Sequence, residues 1–247
     1  MGIWARSSFI FLALIVAGCA ETPPDVVSDS RDPFENANRK VFEFNMAVDD
    51  VVLEPVAKGY RQLPDDVQTS LSNFGTWTGY PSTAVNSTLQ GKFENAALAT
   101  IHFLMNSLTL GFADLTEDDD DPETEDFGQT LAHWNVPEGS YIVMPILGPG
   151  TVRSHTGFVV DAITNPLGFI PVEGASVVQT ASTPVNVVTF RGNNFDQIND
   201  VKYNAIDPYA KTRSLYFQYR EGQIVGLNPE GASSSDKAFD EFFDEDE

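Results

Sequence analysis

Residues 32–55 read DPFENANRKVFEFNMAVDDVVLEP. From Asn36 to Val52 the apolar residues Val41, Phe44, Val48, Val51 and Val52 recur at helical spacing, which predicts a helix that Pro55 ends or kinks. Downstream, Pro64-Asp65-Asp66 opens a second helix carrying Val67, Leu71 and Phe74, with proline early and acids in the first turn, where the helix dipole favours them. The next stretch, Asn73 to Pro81, is rich in Gly, Thr and aromatics and reads as a turn region. Thr183-Pro184 opens a later helix through Val185, Val188 and Phe190, weakened at Gly192-Asn193-Asn194. Asp207-Pro208 opens the last one, with Asp207 as cap, Tyr209, Leu215, Tyr216 and Tyr219 as apolar bulk, and Arg220 and Gly222 at its end.

Between these helices lie two less regular apolar segments. Pro81 to Phe112 is the most apolar part of the chain after its leader, but Thr100, His102 and Asn106 interrupt it, and it is too short and too polar to span a bilayer alone. The residues by themselves favour a buried core helix; the competing reading is a helix in the membrane interface with its apolar face among acyl chains. Tyr141 to Gly150, YIVMPILGPG, is broken by two prolines and two glycines, so it is an extended segment or mobile loop rather than a helix or central strand.

The N-terminus has a different character. Met1 to Arg6 carries one positive charge, Phe9 to Ala17 is apolar, and Leu14-Ile15-Val16-Ala17-Gly18-Cys19 follows. This order is that of a secretory signal ending in a lipobox: residues 1–18 are removed and Cys19 is the lipid attachment site, because its thiol takes a diacylglycerol and the new amino group a further chain. Several acyl chains anchor stably where one does so only marginally. Cys19 is the only cysteine, so a disulfide has no partner. Ala20 rather than Asp after it favours the outer membrane over inner-membrane retention. Residues 19–31, polar and proline-containing, form a lipidated tether; the folded domain is expected over 32–222; and 223–247 is an acidic disordered tail. The formal net charge of −22 is concentrated in Glu117–Asp126, with eight acids in ten residues, and in Asp236–Glu247, with seven. So acidic a chain is repelled by nucleic acid, whose binding depends on Lys and Arg neutralising phosphates.

A search for chemistry finds no catalytic residues, no metal site and no cofactor motif. The three histidines, His102, His133 and His155, have no metal-ligand neighbours at helical spacing. Gly174-Ala175-Ser176-Val177-Val178 lacks the closing glycine of a nucleophile elbow. Ser154, His155 and Asp161 supply triad residue types without triad spacing evidence. Asp118-Asp119-Asp120-Asp121-Pro122 resembles half a calcium loop but has Glu123 where glycine is required, so a solvated acidic loop is the better reading.

Asp32-Pro33-Phe34-Glu35-x-x-Asn38-Arg39, followed by Phe42-x-Phe44-Asn45, resembles the D-P-x-E-x-x-N-R and F-N opening of the MlaA/VacJ lipoproteins. Further matches follow in chain order: Pro55-Val56-Ala57 and Tyr60, Ser72-Asn73-Phe74 and Pro81, Val85-Asn86, Leu89-Gln90-Gly91, Asn106 with Leu110-Gly111 and Asp114, Phe127-Gly128-x-Thr130-Leu131, Pro145 and Gly148 with Arg153, Asp207-Pro208-Tyr209, and Tyr216-Phe217. Three places depart from the family pattern: His102 stands where arginine is usual, Ser154 where aspartate follows the arginine, and Trp77-Thr78-Gly79 replaces a more Asn-Leu-like turn.

The resemblance implies an all-α, irregular ring-like helical domain partly embedded in the inner leaflet of the outer membrane, lipid-anchored on the periplasmic side. It implies a non-enzymatic function: phospholipid misplaced in the outer leaflet enters an amphipathic channel and passes to a periplasmic carrier of MlaC type, and a trimeric outer-membrane porin is a further partner. It also moves the 81–112 segment towards the interface-helix reading. Gly148, Gly150 and Arg153 then read as a hinge or gate, against an ordinary surface turn, and Phe44-Asn45 as holding the first helix against the ring, against a plain core Phe beside a capping Asn. The alternative class is a surface-exposed or scaffold lipoprotein that conducts no lipid.

Overall fold

The computed structural model describes residues 29–116, 120–169 and 175–225; the leader, Cys19, nearly all of the tether and the acidic tail from 226 onward lie outside them. The helices are α1 (Glu35–Val48), α2 (Glu54–Tyr60), α3 (Asp65–Leu89), α4 (Phe93–Asn106), α5 (Phe127–His133), α6 (Val152–Thr164), α7 (Ala175–Asn193), α8 (Phe195–Tyr203) and α9 (Pro208–Val225). One antiparallel hairpin, β1 (Tyr141–Met144) and β2 (Gly148–Thr151), pairs Tyr141 with Thr151 and Met144 with Gly148. The fold is therefore mostly helical, as expected, with this small sheet as an addition. Pro145 sits in the turn of the hairpin, where no ladder donor is needed.

The order of packing closes on itself. α2 packs on α7, α7 on α3, α3 on α5, α5 on α6, α6 on β2, β1 on α1, and α1 runs into α2 through a π-helical turn, Asp49–Leu53. This is the ring-like arrangement, with α4 laid along α3 and α9 bracing α5 and β2.

Several local expectations need correction. Pro55 does not end the first helix, because it falls at the start of α2, where a missing N–H costs little and the π turn has already absorbed the change of direction. Asn73–Pro81 is not a turn but the middle of the 25-residue α3. Its Gly75 is where α7 approaches so closely that an added Cβ would lie 2.1 Å from Asn186 Oδ1, and Phe74, Trp77 and Tyr80 are buried beside Ala99. Tertiary packing thus overrides the low helix propensity of Gly, Thr and Pro. Likewise Pro184 lies inside α7 rather than opening it, and α9 runs past Gly222 to Val225, three residues into the segment assigned to the tail. Asp29 to Arg31, assigned to the tether, pack on the domain: the Arg31 carbonyl accepts from Tyr141 N at 2.8 Å and its guanidinium lies 4.0 Å from the Phe217 ring centroid.

Two buried ionic clusters hold the first helical segment in the ring. In one, Asp32 accepts from Asn38 Nδ2 (2.8 Å), Tyr209 (2.5 Å) and Arg213 (2.5 Å), while Arg39 bridges Glu35 and Asp207, whose carboxylate caps α9 at Ala210 N. In the other, Asp49 takes a bidentate pair from Arg191 (2.8 and 3.1 Å) and a bond from Lys202 Nζ (2.7 Å), which also reaches Asp50 and Glu54. Burial pushes the Asp49 carboxyl up, but Arg191 and Lys202 outweigh it and hold it below the ordinary range. Lys58, Tyr203 and Lys202 push the Glu54 carboxyl down to about 2.

Removing Asp49 takes from Arg191 its bidentate carboxylate and from Lys202 one of three, in a site where each side chain is about 5–6 % exposed. Asp49→Ala is expected to cost about 3–5 kcal/mol in denaturant unfolding of the detergent-extracted chain. Asp196→Ala, which breaks the exposed pair with Arg61, should cost less than about 1 kcal/mol. Because the Glu54 carboxyl titrates lower when folded than its ordinary value of 4.5, its stabilisation is complete above that pH and disappears as pH falls towards about 2. Thermal melts should lose stability across that window, and Glu54→Gln should flatten part of the loss.

Candidate lipid-handling site

The distribution of polarity is inverted relative to a water-soluble domain. α4 turns Ala96, Ala99, His102 and Asn106 inward and leaves Phe93, Ile101, Leu104 and Met105 exposed, continued by Leu108 and Leu110 after the helix. Among the described residues 21 polar or charged side chains are buried against 14 hydrophobic ones, Leu167 is the only buried leucine, and no isoleucine or methionine is buried. Soluble domains bury Ile, Leu and Met first. The core reading of 81–112 is therefore met only in part: one face of α4 packs on α3, and its other, apolar face is exposed among the described residues.

Inside lies a polar network. Thr130 donates to Asn86 Oδ1 (2.9 Å), Gln90 donates to Thr130 (3.1 Å) and to Glu125 (2.8 Å), and Lys92 pairs with the same Glu125. Asn106 donates to Asp114 (3.0 Å) and accepts from Leu115 N, and Thr116 joins Asp114 to His102 Nδ1 (2.9 Å). Burial raises the Asp114 carboxyl, but Thr116, Asn106 and His102 bring it below its ordinary value. Asp126 builds a capping box with Gln129 on α5 and a bidentate pair with buried Arg220. The acidic run is thus not wholly a solvated loop, since Glu125 and Asp126 are structural acids facing specific donors.

A cavity of about 150 Å³ opens beside this network, between α3, the start of α5 and the last turns of α6. Its walls are Val85, Leu89, Val160 and Phe127, and its charged member is Asp161. Asp161 accepts from Ser82 (2.9 Å), Asn86 (2.9 Å) and Phe127 N (2.8 Å). That removes it from any triad: Ser154 bonds Tyr216 at 2.6 Å, and His155 Nε2 lies 3.0 Å from the Ile142 carbonyl. Among the described residues no cluster of His, Cys, Asp or Glu is placed to hold a metal ion, and no helix is long and apolar enough to cross a membrane.

The residues singled out around the hairpin fall into two groups. Asn45 straddles the hairpin turn, donating to the Met144 carbonyl (3.0 Å) and accepting from Ile146 N (2.8 Å), while Asn38 makes the corresponding pair with Tyr141 and Val143. Phe44 is half exposed and stands outside the core. Gly148 has φ +80° and open space around it, whereas a Cβ on Gly150 would lie 2.5 Å from His155 Nε2. Arg153, in the first turn of α6, donates to the Val136 carbonyl (2.9 Å), so its head is tied to the preceding loop. At the tip Ile146 is 77 % exposed and held at φ 69°, a strained conformation for a β-branched residue.

The domain is thus a ring of helices with exposed apolar side chains on α4, α6 and α7, a hydrogen-bonded polar interior and a clamped hairpin. The comparisons make the class specific. The MlaA lipoprotein family matches residues 30–223, so the chain belongs to the MlaA lipoprotein family. It is 29 % identical over 219 residues to the "Intermembrane phospholipid transport system lipoprotein MlaA" of Escherichia coli K12, covering 83 % of this chain and 82 % of that one. The Haemophilus influenzae protein of the same description is 29 % identical over 214 residues, covering 83 % and 84 %. A Rickettsia felis protein described as uncharacterized is 32 % identical over 203 residues and 78 % of each chain. A structure solved for the "structural basis for maintenance of bacterial outer membrane lipid asymmetry" superposes with TM-score 0.66 and 27 % identity, covering 78 % of this chain and 98 % of that one.

Read from spacing, Asp161 was only a triad candidate and Glu125 and Asp126 were only part of an acidic run. The signal that locates them is pairing between motifs: Asn86 with Thr130, Asn106 with Asp114, Asp32 and Arg39 with the Asp207-Pro208-Tyr209 motif. For the hairpin, Asn45→Ala removes both bonds across the turn and is expected to weaken its attachment by about 1–3 kcal/mol. Amide exchange at Ile146 should quicken accordingly, with exchange in α3 unchanged.

Proposed function

We propose that this protein is an outer-membrane phospholipid-transport lipoprotein, anchored through acylated Cys19 on the periplasmic side, whose ring lies in the inner leaflet. It takes phospholipid misplaced in the outer leaflet through a polar-lined passage and delivers it to a soluble periplasmic carrier of MlaC type, in association with a trimeric porin. The observation that carries this reading is the inversion of polarity. Exposed Leu, Ile, Phe and Val side chains on α4, α6 and α7 suit acyl chains, and the buried Asn, Thr, Gln and His side chains suit a path that tolerates headgroups. The named relatives, intermembrane phospholipid transport lipoproteins, support the same reading. No covalent step is required.

Within it the hairpin is the gate, with Gly148 as the yielding point, Gly150 giving room to His155, Arg153 fixing the α6 end and Asn45 fixing the α1 end. Phe44 belongs to the lipid-facing side of α1. Mass spectrometry of lipids extracted with the detergent-purified chain is expected to find phospholipid beyond the anchor's own acyl chains. A folded but lipid-free protein would leave the scaffold reading in its place. Gly150→Pro is expected to raise outer-leaflet phospholipid in cells, and unchanged asymmetry with normal protein levels would remove the gate assignment.

A further inference from the structure

The cavity between α3, α5 and α6 has a chemistry that the transport function does not by itself specify. Among the described residues the Asp161 carboxylate is met there by neutral donors: the Ser82 hydroxyl and Asn86 amide on Oδ1, and Phe127 N on Oδ2. Its Oδ2 has acceptor capacity left beyond that one bond. Among the described residues no Lys, Arg or His forms an ion pair with it, although the other carboxylates along this side of the ring, Glu125 and Asp126, have theirs in Lys92 and Arg220. Around it stand three aliphatic side chains, Val85, Leu89 and Val160, and the ring of Phe127.

Resting on the phospholipid-handling function proposed above, we infer that this cavity is a headgroup subsite for the primary ammonium of an aminophospholipid of the ethanolamine type. An alkylammonium donates to the free acceptor position of Asp161, lays its two methylenes against the aliphatic walls, and meets the Phe127 ring, to which a cation is attracted. The cavity, about 150 Å³, has room for the few heavy atoms of an ethanolamine group, and among the described residues its lining offers a phosphate no cation. The phosphate and tails therefore stay at the mouth, where Val159 and Ile163 are exposed on the adjoining turns of α6. An anionic headgroup such as glycerol phosphate finds no cation in the lining and a carboxylate in its place.

The test is a competition in mixed micelles between phosphatidylethanolamine and phosphatidylglycerol of identical acyl chains, read by native mass spectrometry of the full-length chain. The wild type is expected to enrich phosphatidylethanolamine by about tenfold, equivalent to about 1.4 kcal/mol. Asp161→Asn, which removes the charge, is expected to bring the ratio near unity. Leu89→Trp, which fills the cavity and leaves every hydrogen bond of Asp161 in place, should do the same and decides the matter if the first variant does not fold. No enrichment by the wild type, or enrichment that survives Leu89→Trp, overturns the subsite. Equal binding of both lipids leaves transport standing, whereas binding of neither removes the transport reading as well. Free ethanolamine is expected to compete weakly; complete displacement by it would assign the cavity to a soluble amine and overturn the lipid assignment.

Discussion

The buried carboxylate of Asp49, gripped by Arg191 and Lys202, joins the first helical segment to α7 and α8 and so closes the ring on one side. Ordinary domains close through a shared hydrophobic core. Here, among the described residues, the two hydrophobic clusters are small and separate, one around Phe42, Tyr141, Tyr209 and Phe217, the other around Phe74, Trp77 and Tyr80. Neither reaches round the circuit. Ion pairs sheltered from solvent, each with its lone pairs largely engaged, specify which helices meet, since any other pairing would strand a charge.

The same constraint explains why so much of the interior is polar. If the exterior of the ring contacts hydrocarbon, apolar side chains gain little from moving inward, because lipid tails are as apolar as a leucine. Packing and hydrogen bonding must then define the fold. α3 and α4 illustrate this: Trp77 stacks on Phe103 and donates its indole N–H to the Phe103 carbonyl, Tyr80 meets His102, and Ala99 packs beside them, with Ile101, Leu104 and Met105 left outside. His102 is buried, its Nδ1 2.9 Å from the Thr116 hydroxyl and 3.5 Å from that of Tyr80.

The hairpin is the least regular part of the ring and the most closely tied. Asn38 and Asn45, two turns apart on α1, supply side-chain amides that act as an additional edge for β1, and the Tyr216 hydroxyl donates or accepts around Thr151 and Ser154 on the other side. At the tip Ile146 holds a strained positive φ, and Gly148 follows two positions on with a positive φ of its own.

Sequence by itself determined the helical character of 36–48, 65–74 and 208–222, the extended nature of 141–150, the cap at Asp207, and, through ordered motifs, the family. Those features depend on local propensity, spacing and terminal residues, which one chain carries within a few positions. Three things needed the tertiary structure. The passage of α3 through Gly75 and Pro81 and of α7 through Pro184 follows from partners brought close by the fold, which outweigh local propensity. The roles of Glu125, Asp126 and Asp161 depend on Gln90, Arg220 and Ser82, between about 35 and 94 positions away in the chain. And the inversion of polarity emerged only when exposure was known, because a helix with an apolar stripe looks the same in sequence whether that stripe faces a protein core or the tails of a lipid leaflet.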